Sequence, residues 1–409
     1  MTAWPKEVVE EALRLPPTSA LPRIRTEPPL ERIQTALQHM DIVYTPSTTL
    51  EPCDEEWEAL QDRIDAARAD PTERAFVQAW LTRLIESEIA WLEDTPARRA
   101  LLDQAASCMA SMSSALEAGD LVREFTFPME AETIPSCVQG GPGMSVSITV
   151  RDAALPPSDA QSVQGAAEAA DAVGMQTYAS SILMCDLFVR RPGAWHRALE
   201  AEASPRSTLT VMELGAGTGI VGMVVARALD QHISPVQHAT VYLTDYHADV
   251  MTNLLHNVKE HLHVAKDRVE VVCEALDWRA LHDLVYPDEA CGETVACRIP
   301  PPQSISLLLV ADPIYSPMHA TWLLPAIVYL LALPTTDPDA RAHILLPVRV
   351  AGRLAELYKT VDVALARQAP RQGFRLCRQS QTHLPRRYGL GRRDEREYIW
   401  TVLAWEKLV

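Results

Sequence analysis

In the second half of the chain, short apolar runs alternate with stretches whose apolar positions recur every three or four residues. "TVMELG", "ATVYLTDY", "VEVVCEAL", "SISLLLVADPIY" and "AHILLPVRV" are short and rich in Val, Ile and Leu, which predicts strands. Between them, "TGIVGMVVARAL", "ADVMTNLLHNVKEHL", "ATWLLPAIVYLLAL" and "AGRLAELYKTVDVALARQ" carry a helical period. Near-continuous apolar strands alternating with helices predict a parallel sheet covered on both faces. "GFRLCRQSQ" and "REYIWTVLAW" follow with a loop and no helix between them, which predicts one antiparallel edge strand.

The first half reads differently. Residues 1 to about 50 are proline-rich and weakly periodic, so an irregular lead-in is expected. Three helical stretches follow. "DEEWEALQDRIDAARA" stops at Asp70-Pro71, "TERAFVQAWLTRLIESEIAWL" starts at Thr72 as N-cap, and "TPARRALLDQAASCMASMSSALEAG" has Pro96 at its first helical position and ends near Gly119. "EFTFPME" and "MSVSITVRD" alternate around Gly-Gly-Pro-Gly at 140–143, which predicts a β-hairpin. A helix is expected from about Tyr178 to Val189. The predicted division is residues 1–120, lead-in plus helical module, and residues 121–409, hairpin plus α/β domain.

Composition narrows the function. With 409 residues, 47% hydrophobic and 22% charged, the chain is an ordinary globular one. Its formal net charge of -17 leaves no electrostatic footprint for phosphate backbones, which argues against nucleic acid as the main partner. Eight cysteines without a C-x-x-C pair argue against a disulfide scaffold or zinc site and fit a reducing compartment. The start "MTAWPKEVVEEALRL" lacks a signal pattern, and the run "TWLLPAIVYLLALP" is too short to span a bilayer and contains Pro325. A soluble cytoplasmic protein, monomeric and without membrane contact, is expected. His256, His261 and His263 have no converging carboxylates, so no metal site is expected. The basic run "RRYGLGRRDER", with Arg386, Arg387, Arg392 and Arg393, reads as a solvated loop between two strands, with a clamp for an acidic partner or RNA as the other reading.

Candidate chemistry begins at Gly215, Gly217 and Gly219, where a strand hands over to a helix. Glycine lets a ligand approach the backbone, and the helix start welcomes an anion. The spacing is not G-x-G-x-x-G, so a dinucleotide fits less well. Asp245 ends the next strand, where a carboxylate can hold a ribose diol or cap a helix. Trp278 follows the third strand, where an indole can stack on a purine or simply fill core. Together they describe a nucleoside pocket at the ends of the strands.

At these residues a family resemblance appears. "VMELGAGTGIVGMV", "LTDY", "LDW" and "ADPIY" resemble the seven-strand class I S-adenosylmethionine-dependent methyltransferases. Asp312-Pro-Ile-Tyr315 resembles the D-x-x-Y motif of their protein-lysine methyltransferase branch, whose members act on valosin-containing protein, heat-shock chaperones and translation elongation factors. "VGMQTYASSILMCDLFV" resembles that branch's G-x-x-T-W-x-A-S segment, which closes over the cofactor. The resemblance covers roughly residues 120 to 409, and the helical extension before it looks most like the fungal methyltransferases acting on elongation factor two.

The resemblance implies a Rossmann-like seven-strand sheet, with helices on both faces, that binds S-adenosyl-L-methionine. Gly215, Ala216 and Gly217 would approach the cofactor's amino acid end, Glu213 its ammonium, Asp245 the ribose hydroxyls, and Trp278 and Ala311 the adenine. Tyr178 stands where the branch has tryptophan, and the proline-rich loop from Tyr286 to Gln303 is long. The acceptor would be a lysine on a protein, a translation elongation factor by this likeness. Asp312 would orient the amine, or take its proton through water, and Tyr315 would hydrogen-bond it and shape its channel. A carboxylate beside an ammonium raises its pKa, so Asp312 suits orientation better than strong base catalysis. Two other readings share the pocket: a methyltransferase for a small molecule or RNA, and a non-catalytic binding module that kept the fold.

Overall fold

The computed structural model describes residues 4–44, 55–112, 120–129, 144–154, 172–200, 206–231, 236–286, 300–387, 390–392 and 394–408. They fall into two compact units, Met1–Gly119 with Pro385–Arg393, and Asp120–Leu384 with Asp394–Val409. The helical unit thus takes in a loop that a split at residue 120 leaves with the sheet.

In the helical unit the lead-in is not irregular. Leu30–Tyr44 is a helix, and Ile33, Leu37, Met40 and Tyr44 recur on one buried stripe. They pack with Val77, Leu81 and Leu84 of helix Pro71–Glu86 and with Leu101, Ala105 and Cys108 of helix Pro96–Met112. The prolines before Leu30 break the periodicity but not the packing: indole N–H groups of Trp80 and Trp91 donate to the Pro22 and Pro28 carbonyls at 2.8 and 2.9 Å. Helix Pro71–Glu86 is capped by Asp70, not Thr72; Asp70 Oδ1 accepts from the N–H groups of Thr72 and Glu73, with Pro71 at the first helical position. That helix stops at Glu86, short of the expected end, because Glu88 and Ile89 both take φ of 51°.

The basic run is only partly solvated. Arg386 and Arg387 are 8% and 9% exposed, and Arg386 Nη2 donates to Asp65 Oδ2 at 3.2 Å. Asp65 lies on helix Glu55–Ala69 and also accepts from Gln61 Nε2. Arg392 is exposed, and Arg393 lies outside the described residues.

The second unit opens with a hairpin, β1 (Leu121–Pro128) antiparallel to β2 (Ser145–Asp152). Its turn at 140–143 lies outside the described residues. The main sheet contains β3 (Arg206–Leu214), β4 (Val236–Asp245), β5 (Val269–Ala275), β6 (Leu307–Ala311), β7 (Arg341–Arg349), β8 (Phe374–Pro385) and β9 (Glu395–Lys407). Their order is β5-β4-β3-β6-β7-β9-β8. β5 through β7 pair in parallel and β9 runs antiparallel to β7. The antiparallel strand is therefore not the edge; β8 covers it.

Period-two alternation divides each central strand between two layers. Met212, Leu308, Val310 and Ile344 face Leu323, Leu324 and Ile327 of helix Pro317–Leu330. Glu213 faces the other way, toward helix Ile220–Gln231. Helices Ala179–Arg190 and Ala248–His261 share that side. β2 is stitched there by Asn257, which accepts from the Arg151 N–H at 2.8 Å and donates to the Arg151 and Thr218 carbonyls. The stretch expected as one helix after β7 is shorter: Thr360–Ala366 is helical, and Glu356, at φ 60°, precedes a single turn.

Candidate active site

Because β3, β4, β6 and β7 are parallel, their carboxyl ends share one edge, the usual ligand side of an open α/β sheet. The glycine turn leaves β3 there. The N–H groups of Gly215 and Ala216 both donate to the Thr244 carbonyl, and Thr244 Oγ1 donates back to the Glu213 carbonyl at 2.7 Å. Gly215 and Gly217 have φ of 73° and 55°. A Cβ on Gly215 would lie 3.2 Å from the Trp278 ring, and one on Gly217 would lie 3.0 Å from the Gly174 carbonyl oxygen. Both conformation and space therefore require glycine.

Two acids flank the turn. Glu213 is 1% exposed and its Oε2 accepts from the Gly222 N–H at 2.8 Å. Burial pushes its carboxyl up to about 8, with the nearby Asp245 charge adding and the Gly222 N–H opposing. Asp245 ends β4; its Oδ2 accepts from Gly217 N–H at 3.1 Å and its Oδ1 from Tyr246 and His247 N–H groups. Burial raises its pKa against those three donors. It does not cap the following helix, whose N-cap is His247. Oδ2, which accepts one bond against two at Oδ1, keeps a second lone-pair direction for a hydroxyl.

Trp278 opens helix Trp278–Val285, capped by Asp277, and is half-buried against the core as well as against Gly215. Ala311 is buried at the end of β6. Asp312 follows it, 3% exposed, at φ 49°. Arg349, at the end of β7, grips it through two bonds, Nη1 to Oδ1 at 3.1 Å and Nη2 to Oδ2 at 2.5 Å. The hydroxyl of Tyr315 is pushed well above its ordinary range by burial first and then by the charges of Asp312, Tyr178 and Asp245. Asp312, Tyr178 and Asp245 thus all lie within electrostatic reach of Tyr315.

The segment before Tyr178 is tied over the glycine turn. Thr177 donates through both its N–H and its hydroxyl to Asp152 Oδ1, at 2.8 and 2.7 Å, and its hydroxyl also meets Thr218 Oγ1 at 2.9 Å. Arg123 of β1 pairs with Asp152 and reaches the Thr177 carbonyl. Tyr178 is the N-cap residue of helix Ala179–Arg190 and supplies no side-chain cap.

Several residues here escaped the sequence reading: Arg349, Glu395, which pairs with it, Asp152 and His319; Thr177 lay within the segment likened to G-x-x-T-W-x-A-S. His319 has a local signal, four residues after Tyr315 on the next helix; its Nδ1 lies 3.2 Å from the Tyr315 nitrogen and 3.0 Å from the Pro313 carbonyl oxygen. The pairings of Arg349 with Asp312 and Glu395 had none, because they join residues 37 and 46 positions apart. The proline-rich loop falls largely at 287–299, outside the described residues. Among the described residues no cluster of metal-ligating side chains occurs, and no helix is long and apolar enough to cross a membrane.

The donor set suits a cofactor with an ammonium and a ribose diol: an acid at each end of a backbone cradle that no Cβ could enter. Strand order and glycine turn together make this a seven-strand α/β sheet with its ligand edge at the carboxyl ends of the parallel strands. Residues 158–336 match the family model described as lysine methyltransferase. Over 182 residues, 44% of this chain, the sequence is 31% identical to the protein-lysine N-methyltransferase EFM2 of Saccharomyces cerevisiae. Over 150 residues, 36% of this chain, it is 24% identical to the protein-lysine N-methyltransferase EFM3 of the same yeast. The matched part spans 38% of each relative's length.

Proposed function

We propose that the chain is an S-adenosylmethionine-dependent protein-lysine N-methyltransferase acting on a translation elongation factor, with elongation factor two the first substrate to try. The observation that carries this reading is the meeting of two sets of residues at one sheet edge. The glycine turn with Glu213 and Asp245 forms one; Asp312 with Tyr315 forms the other. The family match over residues 158–336 supports it. The buried, internally paired Arg386 weakens the case for RNA.

When bound, S-adenosylmethionine supplies an electrophilic methyl group. Glu213 would hold its ammonium, Asp245 its ribose hydroxyls and Trp278 its purine, with Gly215, Ala216 and Gly217 giving backbone access and Ala311 lining the purine side. The chain's remaining work is on the acceptor. A lysine at neutral pH is almost wholly an ammonium, which has no lone pair for attack. Desolvation in a channel walled by Tyr315 and Tyr178 lowers its pKa, and the fixed Asp312 carboxylate draws it in and aims it. Alignment of nitrogen with the methyl carbon supplies most of the rate. A cytoplasmic monomer is the setting that goes with this reading.

The test is transfer of radiolabelled methyl into a lysate lacking this protein. A single labelled band at the mass of elongation factor two, absent with Asp312→Ala, is expected. Label confined to small metabolites or RNA would overturn the proposal.

A further inference from the structure

The motif carboxylate is not a lone acid at the mouth of a channel. Arg349 Nη2, besides meeting Asp312, donates to Glu395 Oε1 at 2.9 Å, and Tyr398 Oη donates to Glu395 Oε2 at 3.0 Å. Arg349 and Glu395 are 5% and 2% exposed, and Tyr398 is fully buried. The pairing between β7 and β9 slips here: Val348 faces Glu397 while Arg349 faces Glu395. Such an irregularity re-aims side chains, and this one places an acid from β9 behind an arginine from β7. The backbone of Asp312, at φ 49°, is held by its N–H donating to the Leu345 carbonyl at 2.9 Å. A non-glycine residue in that region persists only where its surroundings over-determine it.

We propose that Arg349 is a positioning residue for the reaction, locking the Asp312 carboxylate in one orientation and keeping it ionised, with Glu395 and Tyr398 locking Arg349 in turn. This rests on the methyltransferase reading for its kinetic consequence but not for the clamp itself. The lock divides the roles of the site. Asp312 attracts and aims the acceptor as a permanent anion and does not take its proton, because a carboxylate held on both oxygens by a guanidinium is a poor base. The acceptor's proton leaves to water. Lysine cannot replace Arg349, since its single ammonium cannot span both Asp312 oxygens and Glu395 at once.

The test uses the full-length protein. Arg349→Lys should lower kcat by about 10- to 100-fold, with KM for S-adenosylmethionine unchanged within about twofold. In an Asp312→Asn background the same change should cost nothing further, because Arg349 acts through Asp312. Carboxyl-carbon NMR of Asp312, assigned with Asp312→Asn, should show its titration midpoint higher in Arg349→Lys than in wild type. Wild-type kcat in Arg349→Lys, losses that multiply with Asp312→Asn, or an unmoved midpoint would each overturn the proposal. If the wild type transfers no methyl group, the functional reading fails, and the NMR midpoint alone decides the clamp. Should Arg349→Lys not fold, Glu395→Gln carries the test, with a loss of about three- to tenfold that vanishes beside Asp312→Asn; no loss would refute it.

Discussion

Glu213 carries the residue scale's most direct consequence. A carboxyl raised to about 8 holds its proton at neutral pH in the ligand-free protein. In the proposed role, an ammonium bound beside it favours the ionised form, so cofactor binding is expected to release that proton below pH 8. Cofactor affinity should therefore rise by up to about tenfold per pH unit from pH 6 toward 8 and then level off. Calorimetry in buffers of different ionisation enthalpy would measure the released proton, and Glu213→Gln should flatten the dependence. At Asp245, three backbone donors converge. Asp245→Ala should cost about 1 to 3 kcal/mol of stability by denaturant titration and weaken the cofactor by at least about tenfold. His343 behaves oppositely to Glu213. Its Nε2 lies 2.9 Å from the Trp195 carbonyl oxygen and its Nδ1 3.1 Å from Trp400 Nε1. That leaves room for one neutral tautomer only, with Nε2–H donating. Burial pushes its pKa down to about 3. The unfolded chain, with a His near 6.5, then binds the extra proton first. Stability from this group is full above about pH 6.5 and falls toward pH 3, by about 2 kcal/mol at pH 5. Urea unfolding at pH 7 and pH 5 should show that loss, and His343→Gln should remove it.

At the scale of elements, the hairpin's role is to hold the segment that covers the glycine turn. Thr177 links Asp152 of β2 to Thr218 of the turn. Thr177→Val should weaken cofactor binding several-fold while leaving kcat at saturation nearly unchanged, a split that steady-state kinetics would read. The strands of the sheet were legible in the sequence because their apolar runs are unbroken and too short for helices. The hairpin was legible because its alternation is clean. Helix Leu30–Tyr44 was not: its stripe at Ile33, Leu37, Met40 and Tyr44 sits among polar residues just after Pro28 and Pro29, and the prolines masked the period. The cap at Asp70 was misplaced because Thr72 offers the same chemistry two residues later; the fixed φ of Pro71 at the first helical position decides for Asp70. The glycine turn, Asp245 and the D-x-x-Y run could be found from local spacing. The Arg349 pairings join residues 37 and 46 positions apart, across strands whose adjacency no local pattern encodes.

For the whole molecule, the notable feature is the path of the chain. It builds the helical unit, leaves it for the sheet, and returns through Pro385–Arg393 before the last strand. Arg386 and Asp65 make that return more than a brush, since both are nearly buried. A fragment starting at residue 120 would leave Arg386 without the Asp65 carboxylate, so it should melt several degrees below the full chain in a thermal scan.

A chain anchored twice in one body forms a ring with respect to it. If the sheet unravels while the helical unit and its captured loop hold, the released stretch is closed at both ends and not a free tail. A closed polymer of that length has several kcal/mol less entropy to gain on melting than an open one. The return loop thus stabilises the sheet by making its unfolded state poorer in conformations, and a chain cut just before Arg386 would abolish the effect.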